Sequence, residues 1–459
     1  MTGRRWFQYG VVGLAVGLAA GLAGCSTYTP VPLPERANLV SNLNQLNLAI
    51  PSQAKVDPTK PLTPDQVGLV AVLNDPELAS QRAKIEQAHA DELDASILPN
   101  PSVTLGDAFL TYSPPAAGAI YDALTASISQ DIVSIITYGP RTAAAEARFK
   151  QVSTDAIWDE WQVAQKARMD AIAINAEDAE IKLRENDLAM LTSEIKEVEK
   201  ATQAGNLDLT TTAPLLATLA TDQHDLAAVQ VQEVKDWQDL DSLLGLQPTA
   251  RFAISEPEEV KVPDSIDPLI ASLPHRRPDL IALQLGYEGA EQDARAAILA
   301  QFPAFALGAA GGSDTSGVVS VGPQVTFDLP IFNRNQAKVL NTKATREQLH
   351  AEYQSRLDDA EGTARSLLIQ MRIAAKNLAG ARKALTSAQS VLKSAETAYR
   401  QGNINQRDLT DFQSTARDRE VDVIDYERQM QENALGLAVE LGVGFPPTLI
   451  TRTDQETRS

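Results

Sequence analysis

Along the C-terminal third of the chain the apolar positions run Leu378, Ala381, Leu385, Ala388, Leu392, Ala395 and Tyr399, spaced alternately by three and four. This is the seam of a coiled coil, and the alternation of alanine with a larger residue lets a partner helix approach closely. The pattern predicts one helix from Gln336 to Gln401, about 100 Å long at roughly 1.5 Å per residue. No compact domain accommodates such a rod. Gly402, followed by Asn403, Ile404 and Asn405, predicts a left-handed helix end, and a second helix runs back from about Arg407 to Leu441. A related seam occurs earlier, at Ile181, Leu188, Leu191, Ile195 and Val198, interrupted by Arg184.

Two segments change period from helical to two. In Leu124 to Ile132 the apolar set Leu124, Ala126 and Ile128 alternates with Thr125, Ser127 and Ser129. Farther on, Val319, Val321, Val325 and Phe327 alternate with Ser320, Gln324 and Thr326. Each is a strand with one face against something apolar and the other in water. Gly308 to Gly312 continues a strand, where glycine marks a bend or a close backbone contact. Two hairpins supply four strands, whereas closed membrane barrels begin at about eight. If the apolar face meets lipid, other chains must seal the edges.

The chain is internally duplicated. Pro76-Glu77-Leu78 returns as Pro278-Asp279-Leu280, and Pro101 to Gly106 returns as Pro303 to Gly308, both at an offset of 202. Ile128 to Ile132 returns as Val325 to Leu329, Gly205-Asn206-Leu207 as Gly402-Asn403-Ile404, and Leu244-Gly245-Leu246 as Leu441-Gly442-Val443, all at 197. The change of offset falls in a hairpin loop, where insertions are tolerated. The expected organisation is a signal peptide over 1–24, an extended tether over 25–64, a first repeat over 65–246, a proline-bearing linker over 247–273, a second repeat over 274–443 and a tail over 444–459. The fold class is mainly α with a small β part, two very long helical hairpins joined to four strands.

At the N-terminus, Arg4 and Arg5 precede an apolar run from Val11 to Ala23, the charged and hydrophobic regions of a secretory signal. It closes on Leu22-Ala23-Gly24-Cys25, which resembles the lipobox of bacterial lipoproteins, and this makes Cys25 the expected lipidation site. Ser26 resembles the signal for an outer-membrane destination. The chain of 459 residues carries a formal charge of −20, which repels phosphate backbones and excludes nucleic acid as the expected partner. One cysteine and four scattered histidines offer neither a disulfide framework nor a metal-ligand pair. No nucleophile, base and orienting group can be assembled, and no phosphate-cradling loop opens a helix, so neither an enzyme nor a cofactor is expected beyond a covalent lipid on Cys25.

Several motifs carry a family resemblance. Pro76-Glu77-Leu78, Leu98-Pro99-Asn100-Pro101-Ser102, Arg276-Arg277-Pro278-Asp279-Leu280, Ala294 to Ala297 followed by Phe302-Pro303, and Leu329-Pro330-Ile331-Phe332-Asn333 resemble the recurrent motifs of the outer-membrane factor family, the TolC-like efflux channels. The likeness extends from about Leu62 to Val443 and includes the duplication. It implies a homotrimer in the outer-membrane lipid, with four strands per chain in one 12-stranded barrel and a helical tunnel in the periplasm. It also implies a periplasmic adaptor and an inner-membrane pump as partners. On this reading Ser127, Ser129, Gln324 and Thr326 face the barrel lumen, and Gly205 and Gly402 mark the helical tips. Asp408 and Asp411 match the aspartates that ring the periplasmic aperture in the family. A plainer role for these two is to complement the helix dipole, with Asn405 as cap. Thr211 and Pro214 stand at the equivalent positions of the first repeat, and Ile404 replaces an arginine common near this turn. Leu329 to Gln336 resembles the heavy-metal-cation branch. The competing readings are a lipid-anchored periplasmic coiled-coil adaptor or spacer, which would need no two-faced strands, and a protein-secretion duct. At the first corner, Ile135 to Arg141 lacks the Pro-Ile-Phe motif.

Overall fold

The computed structural model describes residues 28–49, 56–109, 111–112, 122–205 and 209–444. The chain divides into two units, Met1–Leu39 and Val40–Ser459. In the first, the described residues 28–39 form neither helix nor strand.

The second unit holds helices α1 (Pro64–Asn74) and α2 (Pro76–Ser96), strands β1 (Ser102–Ala108) and β2 (Ala123–Asp131), and helices α3 (Tyr138–Gln203) and α4 (Leu209–Leu244). The second repeat follows with α5 (Pro278–Leu299), β3 (Phe305–Ser313), β4 (Val319–Phe327), α6 (Gln336–Arg400) and α7 (Gln406–Glu440). Thr63 starts α1 with a capping box, accepting from the Gln66 amide at 3.2 Å while Gln66 accepts from the Thr63 amide at 3.0 Å. Prolines at the first positions of α1, α2 and α5 use the place where a missing N–H costs least. At 65 residues α6 reproduces the length expected from the seam, and Ala381 and Ala395 on that seam are buried.

Each repeat closes its own apolar core at equivalent positions. Ala167, Ala171, Ile174, Leu240 and Leu244 of the first correspond, 197 residues on, to Ala364, Leu368, Met371, Leu437 and Leu441 of the second. The first core is finished by residues expected to be a free tether. Leu43, Leu48, Val56 and Leu62 are all buried in it. Val40 bonds the backbone of Gly245 and Gln247 at 3.1 and 2.9 Å, and Leu62 bonds that of Ala253 and Ser255 at 2.9 Å each. The proline, asparagine and serine content suggested a solvated spacer, yet four apolar residues at wide intervals suffice to dock the segment from Val40 onward. The linker is likewise packed. Phe252 meets Trp237 edge-on at 5.1 Å, Arg251 lies over the same indole at 4.7 Å, and Ile266, Ile270 and Leu273 close the second core.

The two corners where sheet becomes long helix are built differently and do the same thing. At the first, the Asp131 carboxylate accepts from the amides of Val133 and Ser134 at 3.0 and 3.3 Å. Arg141 then donates to the carbonyls of Ala95 and Ile97 at 3.2 and 3.1 Å, at the end of α2. At the second, Asn335 adopts a left-handed conformation with φ of 59° and donates to the Ala297 carbonyl near the end of α5 at 2.9 Å. Each corner thus ties a short helix to the root of a long one. The missing Pro-Ile-Phe is replaced by an arginine clamp.

Candidate functional site

The strands form one antiparallel sheet in the order β1-β2-β3-β4. Ser127 pairs with Thr104 and Ala310, Ser129 with Ser102 and Gly308, Gly308 with Gln324, and Ala306 with Thr326. Paired residues point to the same side, so Ser127, Ser129, Gln324 and Thr326 share one face. On the other, Val103 pairs with Ile128, Leu105 with Ala126, and Leu307 with Val325, while Val321 pairs with Gly311 and Phe305 with Phe327. In the single chain this apolar face is bare, with Ile128 50% and Val321 85% exposed. The central contact between β2 and β3 depends on Gly308, where a β-carbon would collide with the Ile128 carbonyl. Among the described residues, β1 and β4 each lack a neighbour on their outer side.

At the far end of the long helices, Gly402 has φ of 74°. Its amide donates to the Tyr399 carbonyl and that of Asn403 to the Ala398 carbonyl, both at 2.9 Å, the Schellman arrangement that only a residue comfortable at positive φ completes without strain. Gly205 takes the same conformation, with φ of 76°, its amide donates to the Thr202 carbonyl at 3.0 Å, and Asn206 and Leu207, which follow it in the motif, lie outside the described residues. Asn405 caps α7. Its side chain accepts from the Asp408 amide at 3.0 Å, and the Asp408 carboxylate accepts from the Asn405 amide at 3.4 Å. Asp408 therefore has local work as a cap, whereas Asp411 lies one turn along and is exposed. Pro214 lies inside α4.

Two buried ion networks were not read from the sequence. Nine residues beyond Asp408, Arg417 reaches from α7 into the first repeat, 2.5 Å from Asp222 on α4 and 3.9 Å from Asp187 on α3, and donates to the Ser414 hydroxyl at 2.8 Å. Asp222 offsets the cost of burying the guanidinium. The second network explains Arg277-Pro278-Asp279. The Arg277 guanidinium donates twice to Asp279, at 3.0 and 2.8 Å, and also to Glu440, with its planar face over Trp158 at 4.8 Å. Arg356 adds a contact to Asp279 at 3.5 Å. This knot joins α3, α5, α6 and α7. Burial and the neighbouring Asp159 and Asp279 push the nearby Asp155 carboxyl up to about 6. The legible signal for both networks was a mismatch between the repeats, since Ala220 stands at the position equivalent to Arg417 and Asp75 at that equivalent to Arg277. Asp75 is instead the cap of α2, accepting from the amides of Glu77 and Leu78 at 2.7 and 3.0 Å. Arg184, which breaks the first seam, pairs with Glu180 at 2.7 Å and Asp225 at 3.3 Å.

Residues 269–443 match the family described as outer membrane efflux protein. The second repeat is thus similar in sequence to outer membrane efflux proteins. The sequence match stops short of the first repeat, but the fold of outer-membrane efflux channels extends over nearly the whole chain. The outer membrane channel CmeC of Campylobacter jejuni superposes with a TM-score of 0.70 at 16% identity, covering 94% of this chain and 98% of that one. CusC gives 0.69 at 17% identity, covering 92% and 100%. The open state of the Neisseria gonorrhoeae MtrE outer membrane channel gives 0.66 at 14% identity, covering 92% and 99%. At such identities the likeness establishes the fold. No curated protein matches the sequence. In this efflux fold the two-faced sheet and the helical tips are the parts with chemistry to offer, and Cys25 lies outside the described residues.

Proposed function

We propose that three copies of this chain form the outer-membrane exit duct of a tripartite efflux system, a passive conduit from periplasm to exterior that works with a periplasmic adaptor and an inner-membrane pump. The observation that carries the reading is the sheet, apolar on one face, polar on the other and, among the described residues, open at both edges. An apolar face in lipid requires every backbone group to be paired and no edge to be left open. Four strands cannot close on themselves, and three chains supply twelve. Ser127, Ser129, Gln324 and Thr326 then line the lumen, and the long helices extend into the periplasm. The cargo follows from the resemblance at Leu329 to Gln336, heavy-metal cations ahead of drugs.

Cys25 adds a lipid anchor on this reading. Cys25→Ser is expected to lose labelling by radioactive palmitate while the strands still insert, because a barrel buries far more apolar area than acyl chains add. Undiminished labelling would remove the lipobox.

The tips form the gate. Threefold symmetry brings Asp408 and Asp411 of three chains round one axis, and like charges so placed favour cations that relieve their repulsion. In planar bilayers the purified protein should be cation-selective and blocked by divalent or trivalent cations from the periplasmic side. The Asp408→Ala/Asp411→Ala variant should lose that block and keep a trimeric mass. Block that persists in the variant would leave the two aspartates as helix caps, and a monomeric mass for the unaltered protein would overturn the duct itself.

A further inference from the structure

The duplication lets each half of the molecule serve as the reference for the other, and one buried stretch does not match. Counting 197 residues on from Glu177 of α3 leads to Ala374 of α6, from Glu233 of α4 to Met430 of α7, and from Asp236 of α4 to Asn433. Ala374 and Met430 belong to the second core, with Ala374 3% exposed. The surrounding positions correspond as core to core, so Glu177 occupies a place that the second half fills with a methyl group. It is as deeply placed as that comparison implies, at 6% exposure, and no N–H or hydroxyl group donates to its Oε2. One helical repeat earlier on α3, Asp170 also buries a carboxylate oxygen without a partner. A lone buried carboxylate costs several kcal/mol, roughly, and such a group keeps its proton instead.

The charges around Glu177 reinforce this. From α4 it faces Asp236 and Glu233, the second of which holds the Trp237 indole N–H at 3.1 Å. From α7 comes Arg428, the nearby cation, shared with Asp425 at 3.5 Å and Glu432 at 3.7 Å. Asp178 and Lys182 lie on its own helix. A hollow of about 560 Å³ beside Asn175, Ala176 and Ala179 brings in Glu256 and Glu259 of the linker, Glu427 of α7 and Arg382 of α6. The surplus is acidic from α4, α7 and the linker. Burial first, and then the bond with Asp236, push the Glu177 carboxyl up to about 8. Burial also raises Asp170, to about 7, and Glu432.

We propose that Glu177 and Asp236 hold a proton between them across the seam of α3 and α4, and that its release loosens the first coil while the second coil, with an alanine at the same place, stays closed. The direction follows from linkage. A carboxyl whose folded-state value lies above its unfolded value contributes stability that is complete below the unfolded value and is lost as the pH rises through the folded one. The first coil is therefore tightest in acidic surroundings, loosens as the pH rises through the neutral range, and reaches its full loosening once the pH has passed the folded-state value.

The test is hydrogen exchange of the full-length protein in detergent micelles at pH 7 and pH 9, corrected for the intrinsic rate. Peptides covering 171–185 and 229–240 should open about tenfold more readily at the higher pH, the loss that accrues over the unit below the folded-state value before it levels off above it. Peptides around Ala374 should not change. Glu177→Gln, which keeps the shape and cannot ionise, should remove the dependence, and Asp236→Asn should do the same if that variant fails to fold. An infrared band of protonated carboxyl at neutral pH, weaker in Glu177→Gln, where Asp170 still contributes, is also expected. Exchange in the unaltered protein that does not depend on pH, or a dependence that survives in both variants, would overturn the proposal.

Discussion

Replacing Arg277 by alanine is expected to destabilise the helical body by about 3–5 kcal/mol, the cost of leaving one member of a buried ion pair uncompensated. Arg277 and Asp279 are each 3% exposed, so water cannot take over the missing partner, and Arg356 at 3.5 Å reaches only one Asp279 oxygen. Arg277→Lys should recover little, because a point charge reproduces neither the paired donation to Asp279 nor the stacking on Trp158. The double variant Arg277→Met/Asp279→Leu should regain most of the loss, since apolar groups of similar size often replace a buried pair without penalty. Thermal unfolding of the detergent-solubilised protein, followed by circular dichroism, measures all three. Equal melting temperatures for Arg277→Ala and the parent would mean that the knot contributes nothing to stability.

On the sheet the expected asymmetry is between adjacent residues. Ile128→Arg and Val325→Arg should each cost about 2–4 kcal/mol if they sit near the middle of the membrane, and should prevent assembly. Ser129→Arg and Thr326→Arg, one position along on the opposite face, should assemble and change the conductance. The proof is the yield of heat-resistant oligomer in outer-membrane fractions. Equal damage from both faces would remove the sheet from the lipid and the proposed barrel with it.

The parts of this fold that were legible are those written in short-range periodicity. The α6 seam, the glycine that ends α6 at Gly402, the alternation in β2 and β4, and the duplication all concern residues within a few positions of one another or recurring at a fixed offset, and each has its counterpart in the structure. What escaped depends on distant partners. Arg417 and Asp222 are 195 residues apart, and either alone reads as another solvated charge on a helix. The docking of Leu43, Leu48, Val56 and Leu62 escaped because composition overruled four widely spaced apolar residues. Asp408 was legible as an acid near a helix start, and both the cap and the aperture readings began there. The structure adds the cap bond to Asn405 and leaves the aperture to the bilayer measurement.

The pairing of β2 with β3 bears on the order in which the molecule is made. The coil of α3 and α4 joins helices that follow one another in the chain, which is rapid, whereas the contact from the Leu124 amide to the Ser313 hydroxyl spans 189 residues and bears the entropy of a long loop. A chain emerging from its N-terminal end completes the first coil while β1 and β2 still await their neighbour. β2 thus waits for its partner after the first coil has closed, and the species at that stage is a helical rod carrying an unfinished, adhesive hairpin. Such an intermediate needs protection from aggregation until the second half arrives.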